Sequence, residues 1–228
     1  MTSSVPDVPE GFNYGRKYGW VYQESKSFDD LETILKKENY LRFKIVKLKV
    51  WSGQIDNSDI IYGIQAFYKN LITGKIIESP EYKGEGFTKV EEFEIKSNEY
   101  LSNFKVRFDT EITRIVFRTN KDNEFIVGNG KGEDKFVKVN ENKNIIVSIY
   151  GAYNKYLDSL GVGYFDRNWY MKKMCFGYFE LKYKLKKDEK FKQEWFSKID
   201  KLDIFAKALL KTCCLPDSAF TEIIKYCF

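Results

Sequence analysis

The sequence predicts an all-β domain followed by a mainly α-helical C-terminal extension, and three observations predict it. Stretches such as "LRFKIVKLKVW" (41–51) and "ITRIVFRT" (112–119) alternate apolar and polar residues, the period of two that a half-buried strand requires. Gly, Asn and Asp stand between most of these stretches, where hairpin turns need them. Late in the chain the period changes: Phe191, Trp195, Ile199, Leu202, Phe205 and Leu209 recur at helical spacing.

The elements follow in order. Residues 1–12 carry Pro and Ser and read as extended. "SFDDLETILKKENY" (27–40) reads either as a short helix, with Ser27 as N-cap and Asp30 at N3, or as strand and loop. In 41–51 the alternation slips at Ile45-Val46, which predicts a β-bulge. Further strands are predicted in "IIYGIQAFY", "KIIES", "EEFEI", "FKVRF", "ITRIVFRT", "EFIVG", "KFVKV" and "NIIVSIY", and a closing hairpin in "YGAYNKYLDSLGVGYF" (150–165). Many short antiparallel strands imply a closed or multi-sheet domain over residues 13–166. In the extension, 167–228, "CFGYFELKYKLK" reads as a ribbon, the apolar stripe as one helix, and Pro216-Asp217-Ser218 as the start of a last one.

Composition narrows the chemistry. The chain has no histidine, which removes Ser-His-Asp and Cys-His nucleophiles, an imidazole base and imidazole-bound metals. No glycine-rich phosphate loop precedes a helix, so neither an enzyme nor a metal or cofactor site is expected. The net charge of +5 is uneven: residues 167–228 carry 14 Lys plus Arg against 8 Asp plus Glu. Lys dominates over Arg, which does not suggest a nucleic-acid surface. No stretch reaches the roughly 18 apolar residues of a membrane span, and the first residues lack the apolar core of a secretory signal. Cys175, Cys213, Cys214 and Cys227 match neither a CxxC pair nor a disulfide framework. A reduced, cytoplasmic protein is the expectation.

Several stretches, in order, resemble the jacalin-related lectins. "IVKLKVWSGQID…YGIQAFY" is similar to that family's second strand pair, and "EYKGEGFTKVEEFEI" to its glycine-bearing turn into a strand. "NEYLSNFKV" is similar to its Gly-Glu-Tyr-Leu/Ile segment, "ITRIVFRTNKDNEFIVGNGKGEDKFVKV" to its Phe-x-Thr-Asn strand and Gly-rich turn, and "IIVSIYGAYNKYLDSLGVGYF" to its final hairpin. The likeness spans about 41–165, with a fainter echo at 13–30. It implies a β-prism of three four-stranded sheets.

The resemblance also implies a candidate carbohydrate-binding loop. Sugar-binding members carry Gly-x-x-x-Asp in the last hairpin, the Asp accepting two sugar hydroxyls. The matching residues here are Asn154, Lys155, Tyr156, Leu157 and Asp158. The carboxylate is kept. The glycine is replaced by Asn, a residue that tolerates positive φ, and Tyr153 or Tyr156 offers a ring for stacking on a sugar. The family's N-terminal Gly-Gly turn is reduced to Gly19, flanked by Tyr18, Trp20 and Tyr22, whose side chains are expected to fill the sugar's space.

Two functions of different class are therefore expected. One is an intracellular protein-interaction or structural subunit of a larger assembly, with a degenerate sugar site, in which Phe191, Trp195, Phe205 and Leu209 either grip a partner with an acidic surface or pack on the chain's own β-domain. The alternative is a working lectin for mannose- or glucose-type sugars.

Overall fold

The computed structural model describes residues 12–36, 43–71, 74–97, 99–130, 133–137, 144–166 and Tyr170. The strands in chain order are β1 (Phe12–Tyr14), β2 (Tyr18–Gly19), β3 (Lys26–Asp29), β4 (Phe43–Ile55), β5 (Ser58–Asn70), β6 (Ile76–Glu78), β7 (Tyr82–Lys83), β8 (Lys89–Glu94), β9 (Leu101–Phe108), β10 (Ile112–Thr119), β11 (Glu124–Val127), β12 (Glu133–Val137), β13 (Asn144–Tyr153) and β14 (Leu157–Asp166). The expected ribbon, apolar stripe, last helix and four cysteines of the extension lie outside the described residues, as do residues 1–11.

Each sheet is built on one antiparallel hairpin: β4–β5, β9–β10 or β13–β14. Flanking strands complete the orders β1-β14-β13-β3, β11-β10-β9-β12 and β6-β5-β4-β8. Two sheets carry a fifth, two-residue strand, because their edges are interrupted. β1 and β2 lie along the same strand, β14, on either side of residues 15–17. β6 and β7 lie along β5 on either side of Ser79-Pro80-Glu81. Pro80 has no N–H to give to a ladder, and Ser79 repairs the gap, its hydroxyl accepting from the Ala66 N–H and its carbonyl from the Gln65 side chain. The expected count of three four-stranded sheets thus holds along each main path and gains a short segment on two of them.

The inner faces share one core, in which Leu48, Ile64, Phe104, Phe117, Ile149 and Val162 are fully buried. Ring stacks tie sheets together: Phe28 on Tyr82 at 4.0 Å and Phe93 on Phe125 at 5.1 Å. The bulge expected at Ile45-Val46 is present, with a register shift between Ile45 and Lys47 against β5. It lets Ile45 and Leu48 both face the core although their positions differ by three, an odd number. Asp56 and Asn57, both at positive φ, close the β4–β5 hairpin, as the twist of a two-residue turn requires.

Ser27 does not cap a helix. It lies in β3, paired with Ala152, and the helical segment is one π-helical turn, Leu31–Leu35, entered at Asp30. Tyr170 is buried against Phe165, with ring centroids 5.6 Å apart.

Candidate functional site

The β13–β14 hairpin carries the predicted loop. Asn154, Lys155 and Tyr156 form its turn, closed by the Asn154 N–H donating to the Tyr156 carbonyl at 2.9 Å. Asn154 keeps a negative φ, so the left-handed backbone that would explain an Asn in place of Gly is not used here. The turn rests on Gly84, the residue after β7. A Cβ there would lie 1.9 Å from the Lys155 carbonyl oxygen and 2.7 Å from that of Asn154, so only glycine lets the two backbones approach.

The rings expected to stack on a sugar are engaged elsewhere. Tyr156 meets Tyr62 edge to face at 5.1 Å and packs against the small cluster of Trp51, Ile60 and Tyr62. Tyr153 packs against the main core, 6.2 Å from Phe28 and 6.0 Å from Tyr82. Lys155 holds its ammonium over the Tyr156 ring at 5.2 Å.

Asp158 sits at the start of β14 and is only 3% exposed. Its Oδ2 accepts a hydrogen bond from the Ser25 hydroxyl at 2.6 Å. Burial pushes its carboxyl above the usual carboxylate range, the Ser25 bond works against that rise, and Glu111 adds to it. Both directions follow from chemistry: loss of water disfavours the charged form, and a donor to the charged oxygen favours it.

The second wall is the segment from Gly19 to Ser25. Gly19 has φ +105°, and a Cβ on it would come within 2.1 Å of the Asp158 carbonyl oxygen. Trp20 and Tyr22 stand 60% and 48% exposed, and burial together with the nearby charges of Glu111 and Asp158 pushes the Tyr22 hydroxyl above its ordinary value. The Trp20 indole N–H donates to the Asp109 carbonyl at 3.3 Å, at the tip of the β9–β10 hairpin. Tyr18 packs on Phe108 instead, with centroids 6.3 Å apart. What closes the space is Ser25, which the sequence did not single out. Its N–H donates to the Tyr22 carbonyl, and its hydroxyl accepts from the Tyr22 N–H at 3.0 Å while donating to Asp158. No local pattern signals this contact, which joins residues 133 positions apart.

The structure thus brings Asn154, Lys155, Tyr156 and Asp158 together on one hairpin, while Phe191, Trp195, Phe205 and Leu209 lie outside the described residues.

The family model for the Jacalin-like lectin domain matches residues 15–163. No curated protein matches the chain. Among solved structures, Calystegia sepium agglutinin is similar at a TM-score of 0.53 and 19% identity, covering 70% of this chain and 99% of its own. Frutapin, a lectin from Artocarpus incisa, gives 0.54 and 15%, covering 69% of this chain and 99% of its own. The mannose-binding lectin from Champedak gives 0.51 and 16%, with the same two coverages of 69% and 99%. At these identities the likeness to the three structures is one of fold.

Proposed function

The chain belongs to the jacalin-like lectin domain family, and from that premise we propose that it is a non-enzymatic binding module whose inherited sugar site is closed, acting through contacts with other proteins. One observation carries the reading: Asp158, the carboxylate that sugar hydroxyls would seek, is 3% exposed and already bonded to Ser25. A carboxylate with one oxygen committed and almost no surface has no room for two ligand hydroxyls. The rings of Tyr153 and Tyr156 are already packed against Phe28, Tyr82 and Tyr62.

In this reading the partner is gripped by the extension. The apolar stripe of Phe191, Trp195, Phe205 and Leu209 supplies the large side chains that anchor interfaces. The 14 basic against 8 acidic residues of 167–228 steer it towards an acidic surface.

The test is a glycan array with titration calorimetry on the full chain, using mannose- and glucose-type sugars to millimolar concentration. No binding is expected, and clear binding would reject the closed site. A second reading, a working lectin, draws on the retained Asp158, the exposed Trp20 and Tyr22 at the rim of the site, and the mannose-binding Champedak relative. Under that reading Asp158→Ala abolishes mannoside binding with little change in melting temperature.

A further inference from the structure

The contact that closes the site also shows how it would open. Ser25 presents to Asp158 the group a sugar would present, an alcohol O–H donated to a carboxylate oxygen, at 2.6 Å. We propose that Ser25 is an internal stand-in for a ligand hydroxyl and that residues 20–25 form a cover which a polyhydroxylated ligand must displace to reach Asp158. This inference rests on the reading of the site as closed.

Three features carry it. First, the exchange is like for like. A sugar hydroxyl replacing Ser25 restores the same charge-assisted bond, so the penalty for entry is that of moving the cover rather than of losing an interaction at Asp158. Second, the cover is lightly held. Residues 20–24 are all exposed, and its ends are fixed by β2, where Gly19 pairs with Ser159, and by β3, where Lys26 pairs with Tyr153. Between them the described polar contacts are the exposed Trp20–Asp109 bond, the Tyr22–Ser25 turn and the Ser25–Asp158 bond. Segments with few buried contacts and solvent-exposed hydrogen bonds are the ones that open locally. Third, Ser25 links the two parts, because the hydroxyl that bonds Asp158 also accepts the Tyr22 N–H that closes the turn. Releasing Asp158 therefore frees the cover's inner end, and the exposed Trp20 and Tyr22 ride on the moving segment.

Ser25 is on this account a specificity-determining residue, acting by competition. The experiment measures methyl mannoside and methyl glucoside binding by calorimetry for the wild type, Ser25→Ala, Ser25→Thr and the double variant Ser25→Ala/Asp158→Asn. Ser25→Ala should bind at least about tenfold more tightly than the wild type, the factor expected from removing a competing bond to a charged acceptor. Ser25→Thr, which keeps the hydroxyl, should behave as the wild type, and the double variant should lose the gain. A Ser25→Ala protein with an unchanged circular dichroism spectrum and melting temperature but no gain overturns the gate while leaving the closed-site reading intact. Tight binding by the wild type overturns both. Should Ser25→Ala fail to fold, hydrogen exchange on the wild type decides: the Tyr22 and Ser25 amides should exchange far faster than those of β13 and β14, and equal protection overturns the proposal.

Discussion

Raising the pH from mildly acidic to mildly basic should destabilise this fold, and a single buried carboxylate accounts for most of the slope. Asp30 is fully buried, and its two oxygens accept the hydroxyls of Tyr68 and Tyr82 at 2.5 Å each. The neighbouring Asp29 accepts from the Tyr14 hydroxyl at 2.6 Å and the Leu31 N–H at 2.9 Å. Burial raises the Asp30 carboxyl from 3.8 to about 7, against the lowering effect of the two tyrosine bonds and with a further push from Asp29. The folded state therefore holds this proton more tightly than the unfolded chain does. The stabilisation that protonation brings is fully present below the unfolded value of 3.8 and is lost as the pH rises through about 7. At about 1.4 kcal/mol per tenfold change in proton affinity the whole effect is roughly 4 kcal/mol, of which about 2–3 kcal/mol falls between pH 5 and pH 8. Asp29 and Asp158 are raised as well and add in the same sense. Urea denaturation across this range measures the slope directly. Asp30→Asn, which cannot titrate, should flatten most of it. A wild-type stability that is level or rises from acid to base, or an Asp30→Asn variant with the wild-type slope, would exclude Asp30 as the source of the pH dependence.

Three further outcomes are expected. Gly19→Ala places a Cβ 2.1 Å from the Asp158 carbonyl oxygen at a φ of +105°, so thermal or urea melts should show a loss of about 1–3 kcal/mol; unchanged stability would mean that the loop re-seats freely. A chain ending at Asp166 should fold with a β-type circular dichroism spectrum but be less stable than one ending at Tyr170, by the roughly 1.5–3 kcal/mol of burying one large side chain; equal denaturation curves would deny Tyr170 a part in the core. Trp195→Ala/Phe205→Ala should release the full chain from its native assembly, read by size-exclusion chromatography, with the prism's melting unchanged. If melting falls while the assembly persists, the stripe packs on its own prism.

What was legible in the sequence was what neighbouring residues decide. The bulge beside Val46 could be read because two apolar residues in succession break a period of two. The β4–β5 turn could be read because Asp56 and Asn57 tolerate positive φ. The interrupted edges could not. β2 and β7 are two residues long, too short to carry any periodicity, and exist only because β14 and β5 offer them backbone partners. Asp30 gave no sign of burial, since a carboxylate at N3 of a possible helix reads as exposed, and the hydroxyls that hold it come from Tyr68 and Tyr82, 38 and 52 positions away. At the site, the resemblance located Asp158 but not Ser25, the residue that meets it. A row of aromatics after Gly19 reads as filling, yet how far each ring stays exposed is set by tertiary contacts such as the Trp20 bond to Asp109.

The difference between a closed site and a weak one is quantitative, and the geometry bounds it. Lifting residues 20–25 gives up little apolar burial, because Trp20, Val21 and Tyr22 are already exposed. It returns water to a desolvated carboxylate, which favours opening. Against opening stands chiefly the Ser25–Asp158 bond, and hydrogen bonds to charged groups contribute about 1.5–3 kcal/mol. The closed state is then favoured by no more than about that amount, and a ligand that needs the open state has its affinity divided by the small open fraction, on the order of 10–100-fold. A lectin of this family that binds in the millimolar range when unobstructed would, under that handicap, give no signal at ordinary concentrations. The same arithmetic makes Ser25→Ala informative, because removing the bond recovers the factor without adding a contact to the sugar. A gain far above it would mean that the variant created a new site rather than opened the old one.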